Sequence, residues 1–202
     1  MKLDLEEILK ELKPYRERKA MVNPTHAALL VIDMQNYFHQ IIQPVLKNLS
    51  KVVQSCRLKE IPIIFSQHGH TDSPSDGGVL GEWWGELILH GTNDWKFIPE
   101  IKIEPKDIIL PKKRYSAFFK TELDTTLRSK RIQDLIISGV MTNLCCETTA
   151  RDAFMRDYKV FFLIDGTATG TEEHHLATLK NLGYGFAYLM TCDELIKNLK
   201  PD

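Results

Sequence analysis

Apolar residues alternate between two rhythms along this chain. Residues 27–34 read AALLVIDM, an almost unbroken apolar run. A short run with both faces apolar suits a strand buried on both sides, as in a parallel sheet. Over 44–59, Val45, Leu49, Val52, Val53 and Cys56 fall on one helical stripe. The pattern predicts further strands at 61–65, 107–111, 134–140, 159–164 and 186–190. It predicts further helices at 122–130, 144–157, 172–182 and 193–199. Six strands separated mostly by helices imply an α/β fold, a three-layer α/β/α domain around a six-stranded, mostly parallel sheet. Ligands of such folds collect at the carboxyl ends of the strands, near the switch in strand order.

Two segments break the rhythm. Leu5, Ile8, Leu9 and Leu12 recur at helical spacing and Pro14 ends that helix, so 1–20 reads as a helical extension to a single domain over 1–202. Residues 67–105 carry Gly69, Gly77, Gly78, Gly81, Gly85 and Gly91 and all three tryptophans. A long irregular excursion of this kind usually builds a site, here a wall or lid.

Composition narrows the function. Lys+Arg is 26 and Asp+Glu 27, a net charge of −1, which leaves no basic footprint for nucleic acid and no grip on anionic membranes. The start, MKLDLEEILKELKPYRERK, lacks the basic and apolar regions of a secretory leader, which points to a cytoplasmic protein. Cys56, Cys145, Cys146 and Cys192 form no C-x-x-C pair and read as free thiols.

Three reactive residues are expected where strands end. Asp33 closes the first strand in VIDMQNYF, and Lys112-Lys113 follow IILP. Cys145 follows a strand and a glycine-containing turn and opens a helix, where unpaired N–H groups and the helix dipole lower a thiol's pKa. Singly, each has an ordinary reading: a turn aspartate, a solvated basic pair, a buried thiol. Together they make a nucleophile, a charge that favours its ionised form and a carboxylate that can carry its proton.

The segments ALLVIDMQNYF, KKRYSAFF, SGVMTNLCCETTARDAFMRD and FFLIDGTAT resemble the isochorismatase-like cysteine hydrolase superfamily, which includes nicotinamidases, N-carbamoylsarcosine amidases and isochorismatases. The resemblance runs from about Ala27 to Leu195. It implies a sheet of order 3-2-1-4-5-6 and a catalytic set of Asp33, Lys112 and Cys145, selecting Lys112 over Lys113 and Cys145 over Cys146. It also implies a cis peptide at Val140–Met141, an oxyanion hole formed by the Met141 and Cys145 N–H groups, and a homo-oligomer, a dimer or tetramer.

Metal-dependent nicotinamidases carry Asp-x-His after the second strand. Here the stretch is SQHGHTD, with His68 where the aspartate belongs and His70 at the histidine, a departure that argues against a typical nicotinamidase and for no metal or other cofactor. The isochorismatase branch, whose wording the motifs approach, commonly lacks the cysteine and usually has a histidine at the position of Asn143. The retained thiol favours hydrolysis of a small amide or ureido C–N bond over vinyl-ether cleavage with Asp33 as acid. An idle binding module is the third alternative. Phe38, His68, Trp84, Tyr115 and Asn143 are the expected substrate contacts. Trp83 and Phe118 are further candidates for the pocket wall. Arg151 and Asp152 read as a structural pair, Asp165 as a turn residue, and His174 and His175 as solvated or capping.

Overall fold

The structure is a computed structural model that describes residues 4–200. The ends of the expected domain, 1–3 and 201–202, lie outside the described residues. Among those residues six strands form one sheet: β1 (Ala27–Ile32), β2 (Ile63–His68), β3 (Ile108–Lys112), β4 (Asp134–Val140), β5 (Lys159–Ala168) and β6 (Tyr188–Met190). Their order is β3-β2-β1-β4-β5-β6 and every pairing is parallel. β1, β2 and β4 are buried at every position, whereas β3 at the edge exposes part of its length.

The period of two along β1 divides the core. Ala28, Leu30 and Ile32 face one apolar layer, and Ala27, Leu29 and Val31 face the other. The first layer takes Ile8 of α1 (Leu5–Glu11), Leu123 and Leu127 of α4 (Leu123–Ser129), Ala150 and Ala153 of α5 (Glu147–Phe154), and Leu179 and Leu182 of α6 (Glu172–Gly185). The second takes Ile42, Val45, Leu49 and Val52 of α2 (His39–Leu58) and Leu195 of α7 (Cys192–Asn198). The amino-terminal helix is therefore part of the core: Ile8 and Leu12 are fully buried against the chain's own sheet.

Some boundaries differ from the sequence reading for physical reasons. α2 begins at His39 and carries Pro44 inside it, although proline removes a backbone donor from a helix interior. β2 continues through Ser66, Gln67 and His68, and β5 through Asp165 to Ala168, because these polar side chains are buried. Asp165 acts inside β5, accepting from Asn48 Nδ2 and the Cys192 N–H, and so ties α2 and α7 to the sheet. The excursion over 67–105 folds into a turn at Ser73–Gly77, a short helix α3 (Val79–Trp84) and two isolated bridges, Gln35 to Phe97 and His70 to Leu89.

Candidate active site

Strand order reverses between β1 and β4, and three reactive side chains meet at the carboxyl edge beside that point. Asp33 follows β1 with φ 50°, in the left-handed region that aspartate tolerates better than most residues. Lys112 is the last residue of β3, in register with His68 of β2. Its side chain reaches past β2 to place Nζ 2.7 Å from Asp33 Oδ2 and 3.3 Å from Cys145 Sγ, and Nζ also donates to the Arg114 carbonyl at 3.0 Å. Cys145 sits in a single wide turn, Thr142–Cys146, that leads into α5.

Gly139 makes this approach possible. Its φ is +107°, and a Cβ there would collide with the backbone of Ile32, its register partner on β1. Only glycine fits the crossing that brings the Cys145 turn over the end of β1. The peptide between Val140 and Met141 is cis.

The Asp33 and Lys112 side chains have no solvent exposure. Ser66 Oγ donates to Asp33 Oδ1 at 2.7 Å. The ion pair lies outside hydrogen-bond angles, and Oδ2 has no hydrogen-bond partner among the described residues. One carboxylate oxygen is thus held by Ser66 and the other faces the Lys112 ammonium. Burial opposes the Lys112 charge, but Asp33 and Cys145 outweigh it and hold its pKa above the ordinary value. For Cys145 burial dominates: the thiol is pushed up to about 12, with Asp33 adding to the rise and Lys112 opposing it. This corrects the expectation from the helix start.

Of the three groups Cys145 lines a cavity of about 410 Å³, together with Met141, His68, Phe38, Trp84 and Tyr115; Asp33 and Lys112 are buried behind it. Tyr37, Ile41, Leu80, Leu87, Ile88 and Leu144 add apolar wall, with Gln40 and Glu86 the remaining polar residues. The Trp84 indole N–H donates to the Tyr115 hydroxyl at 2.7 Å, joining the excursion to the segment after β3. Asn143 is not among the lining residues; its Oδ1 accepts from Thr169 Oγ1 at 2.6 Å. Trp83 is 77% exposed and Phe118 lies in the core.

Comparison with known proteins matches these features. The pattern that defines the isochorismatase domain covers residues 27–194. This chain belongs to the isochorismatase family. It is 48% identical to nicotinamidase 3 of Arabidopsis thaliana, over 93% of this chain and 96% of that protein. It is 33% identical to ureidoacrylate amidohydrolase RutB of Enterobacter sp. (strain 638), over 93% and 95%. Among solved structures, a cysteine hydrolase from Pseudomonas syringae pv. phaseolicola superposes with a TM-score of 0.86 at 27% identity, covering 90% of this chain and 95% of that one.

In this isochorismatase-family chain the donors at the end of β2 and just beyond it do not fit the Asp-x-His metal pattern. His68 replaces the aspartate. His70 has Asp76 Oδ1 3.0 Å from Nδ1 and His68 Nε2 3.3 Å from Nε2, so both its nitrogens are engaged by protein.

The sequence reading missed two supports of the site. Ser66 orients Asp33, and Gln35 clamps the backbone of His68, accepting from its N–H at 2.8 Å and donating to its carbonyl at 2.9 Å. Gln35 lies within the VIDMQNYF motif, which was the available signal; Ser66 carried none. His175 is fully buried rather than solvated, and its Nδ1 lies 2.9 Å from Thr142 Oγ1 in the Cys145 turn. Arg151 and Asp152 do not pair with each other: Arg151 binds Glu147, while Asp152 binds Arg156 and Ser116.

Proposed function

We propose that this protein is a cysteine-dependent hydrolase of the C–N bond in small, uncharged amides. The observation that carries the reading is the contact of Lys112 Nζ with both Asp33 Oδ2 and Cys145 Sγ, the sulfur lining a largely apolar cavity. Asp33 takes the Cys145 proton, and Lys112 stabilises the emerging thiolate. The sulfur attacks the amide carbon, and the oxyanion is received by the Met141 and Cys145 N–H groups. Collapse of the intermediate breaks the C–N bond, with Asp33 returning its proton to the departing ammonia or amine. Water, deprotonated by Asp33, then hydrolyses the thioester and regenerates the thiol. The rise of the thiol pKa supports a proton transfer coupled to attack over a standing thiolate.

The lining narrows the substrate class. It contains no lysine or arginine, and Glu86 stands at the exposed rim. The nearby Lys112 ammonium is already paired with Asp33, so a substrate carboxylate would find no free cation and one like charge, and the cavity favours a neutral carboxamide over a carboxylated ureido compound or isochorismate. The whole chain works as one domain on this reading, as a dimer or tetramer in the cytoplasm. Four free thiols suit a reducing compartment, and Val79, Trp83 and Trp84 on α3 expose apolar surface beside the cavity that a second copy could cover.

Ammonia release from benzamide-type amides and carboxylated ureido compounds, and pyruvate release from isochorismate, with native protein and Cys145→Ala, test the reading. It expects release from neutral amides, lost by about 1,000-fold or more in Cys145→Ala. Isochorismate turnover retained in Cys145→Ala and lost in Asp33→Ala would establish vinyl-ether chemistry instead.

A further inference from the structure

His175 lies fully buried in the first turn of α6, with its Nδ1 2.9 Å from the Oγ1 of Thr142, which is fully buried too. Thr171 fixes that turn: its Oγ1 accepts from the His174 N–H and its carbonyl from the His175 N–H, each at 3.2 Å. The second ring nitrogen, Nε2, has no hydrogen-bond partner among the described residues. An apolar side chain of similar size would fill the place without an unpaired nitrogen, so packing alone does not call for histidine here.

Thr142 opens the wide turn Thr142–Cys146, directly after Met141. The Met141 carbonyl accepts from the Leu144 and Cys146 N–H groups, each at 3.1 Å, which ties residues 141–146 into one unit. That unit carries the Cys145 sulfur and both N–H groups that receive the oxyanion on the reading above. Two other side-chain bonds hold the same region: Asn143 Oδ1 accepts from Thr169 Oγ1, and Glu147 Oε2, one residue past the turn, accepts from Thr178 Oγ1, each at 2.6 Å. Of the three, the bond between Thr142 and His175 alone joins two fully buried residues, and it acts on the neighbour of Met141. Oxyanion donors work only within hydrogen-bond distance of the developing charge. A displacement of about 1 Å in such a site costs on the order of 100-fold in rate.

We propose that His175 is a positioning residue for the hydrolysis: through its bond to Thr142 it sets the turn that aims the Met141 and Cys145 N–H groups at the oxyanion. The proposal rests on the amide-hydrolase reading above. The oxyanion exists only after the sulfur has attacked, so loss of the bond falls on kcat rather than on KM.

Thr142→Val combined with His175→Leu removes both polar partners and roughly keeps their volume. Its urea midpoint should stay within about 0.5 M of native. Its kcat for benzamide should fall about 30-fold with KM changed no more than about twofold. Thr142→Val alone, the exchange of one hydroxyl for a methyl, should give a kcat loss of the same size. His175→Asn, which sets an amide group where Nδ1 stood, should recover most of kcat. Thr178→Val, which removes the bond to Glu147 beyond the turn, should keep kcat within about threefold. An unchanged kcat in the first two variants, a KM rise in place of the kcat loss, an equal kcat loss in Thr178→Val, or activity lost only in step with urea stability would overturn the proposal. Benzaldehyde reads the oxyanion position without turnover: the Cys145 thiol adds across its carbonyl, sulfur to carbon and proton to oxygen. Calorimetric binding that Cys145→Ala abolishes should weaken about 30-fold in the double variant, in step with kcat. Aldehyde binding equal in native and double-variant protein would refute the proposal. Native protein inactive on benzamide, with aldehyde binding as expected, would support the hold of His175 on the turn and sink the amide-hydrolase reading alone.

Discussion

Lys112 Nζ lies 2.7 Å from Asp33 Oδ2, with both side chains fully buried, although the two residues end strands separated by β2. Taking two charges out of water costs several kcal/mol per ion, and their attraction offsets this only while both are present. Removing one leaves the other buried and unpaired. Lys112→Met should therefore lower unfolding stability by about 3–5 kcal/mol, while adding Asp33→Asn to it should restore part of the loss. Urea unfolding of the two single variants and the double variant measures the coupling; strictly additive losses would mean that the pair is not coupled in solution.

The same burial sets a pH window for stability. Cys56 and Cys145 are pushed up to about 12, chiefly by desolvation, and Cys146 and Cys192 are also raised well above the ordinary thiol. Unfolded thiols lose their protons near pH 9 while folded ones keep them, so the native state binds more protons and stability falls as pH rises from 9 toward 12. Each such group contributes a slope of about 1.4 kcal/mol per pH unit. On the acid side burial lowers His68 to about 3 and His175 to about 4, so the unfolded state binds protons first and stability falls below about pH 6.5. Melting temperatures from pH 4 to 11 should form a plateau between about 6.5 and 9, and Cys56→Ala should flatten the alkaline arm.

Gly139→Ala should be more damaging than any ordinary glycine replacement in this chain. It combines an unfavourable φ with a collision against the Ile32 backbone, at the step that sets the Cys145 turn over β1. The expected cost is about 3 kcal/mol or more, with activity falling further than folding alone explains. Calorimetry beside rate measurements on the folded fraction separates the two effects.

Charge at the cavity rim should tune selectivity. Glu86 is solvent-exposed and lines the mouth, so its field is screened and its effect modest. Glu86→Arg should raise kcat/KM for carboxylated ureido substrates relative to neutral amides by about fivefold, the scale of about 1 kcal/mol. An unchanged ratio would place anionic substrates elsewhere than this mouth.

Sequence and structure part company in an instructive way. β4 is legible to the residue because DLIISGV carries the compact run Leu135-Ile136-Ile137 and is bounded by turn chemistry. β2 is misplaced by pattern alone because Ser66, Gln67 and His68 look like loop residues, yet they are buried by hydrogen bonds made to Asp33, Trp95 and Gln35. Asp33, the Lys112-Lys113 pair and Cys145 are legible through their places at strand ends, and the family resemblance selects Lys112 and Cys145 among their neighbours. Which neighbour orients each of them is a tertiary property without period. The thiol's raised pKa was hidden for the same reason: a helix start is visible in sequence, but burial of the side chain near a carboxylate is not. The excursion over 67–105 is recognisable as a wall from its glycines and tryptophans, and its tracing through α3 to Ile88 depends on long-range contacts such as that between Trp84 and Tyr115.

The central claim is that the Cys145 sulfur attacks the substrate. Intact-protein mass spectrometry after rapid acid quench, with native protein and excess benzamide, tests this most directly. A transient gain equal to the acyl group less one hydrogen, mapped to Cys145 and absent in Cys145→Ser, is the predicted result. Full turnover with no adduct at any time, together with undiminished activity in Cys145→Ala, would contradict it.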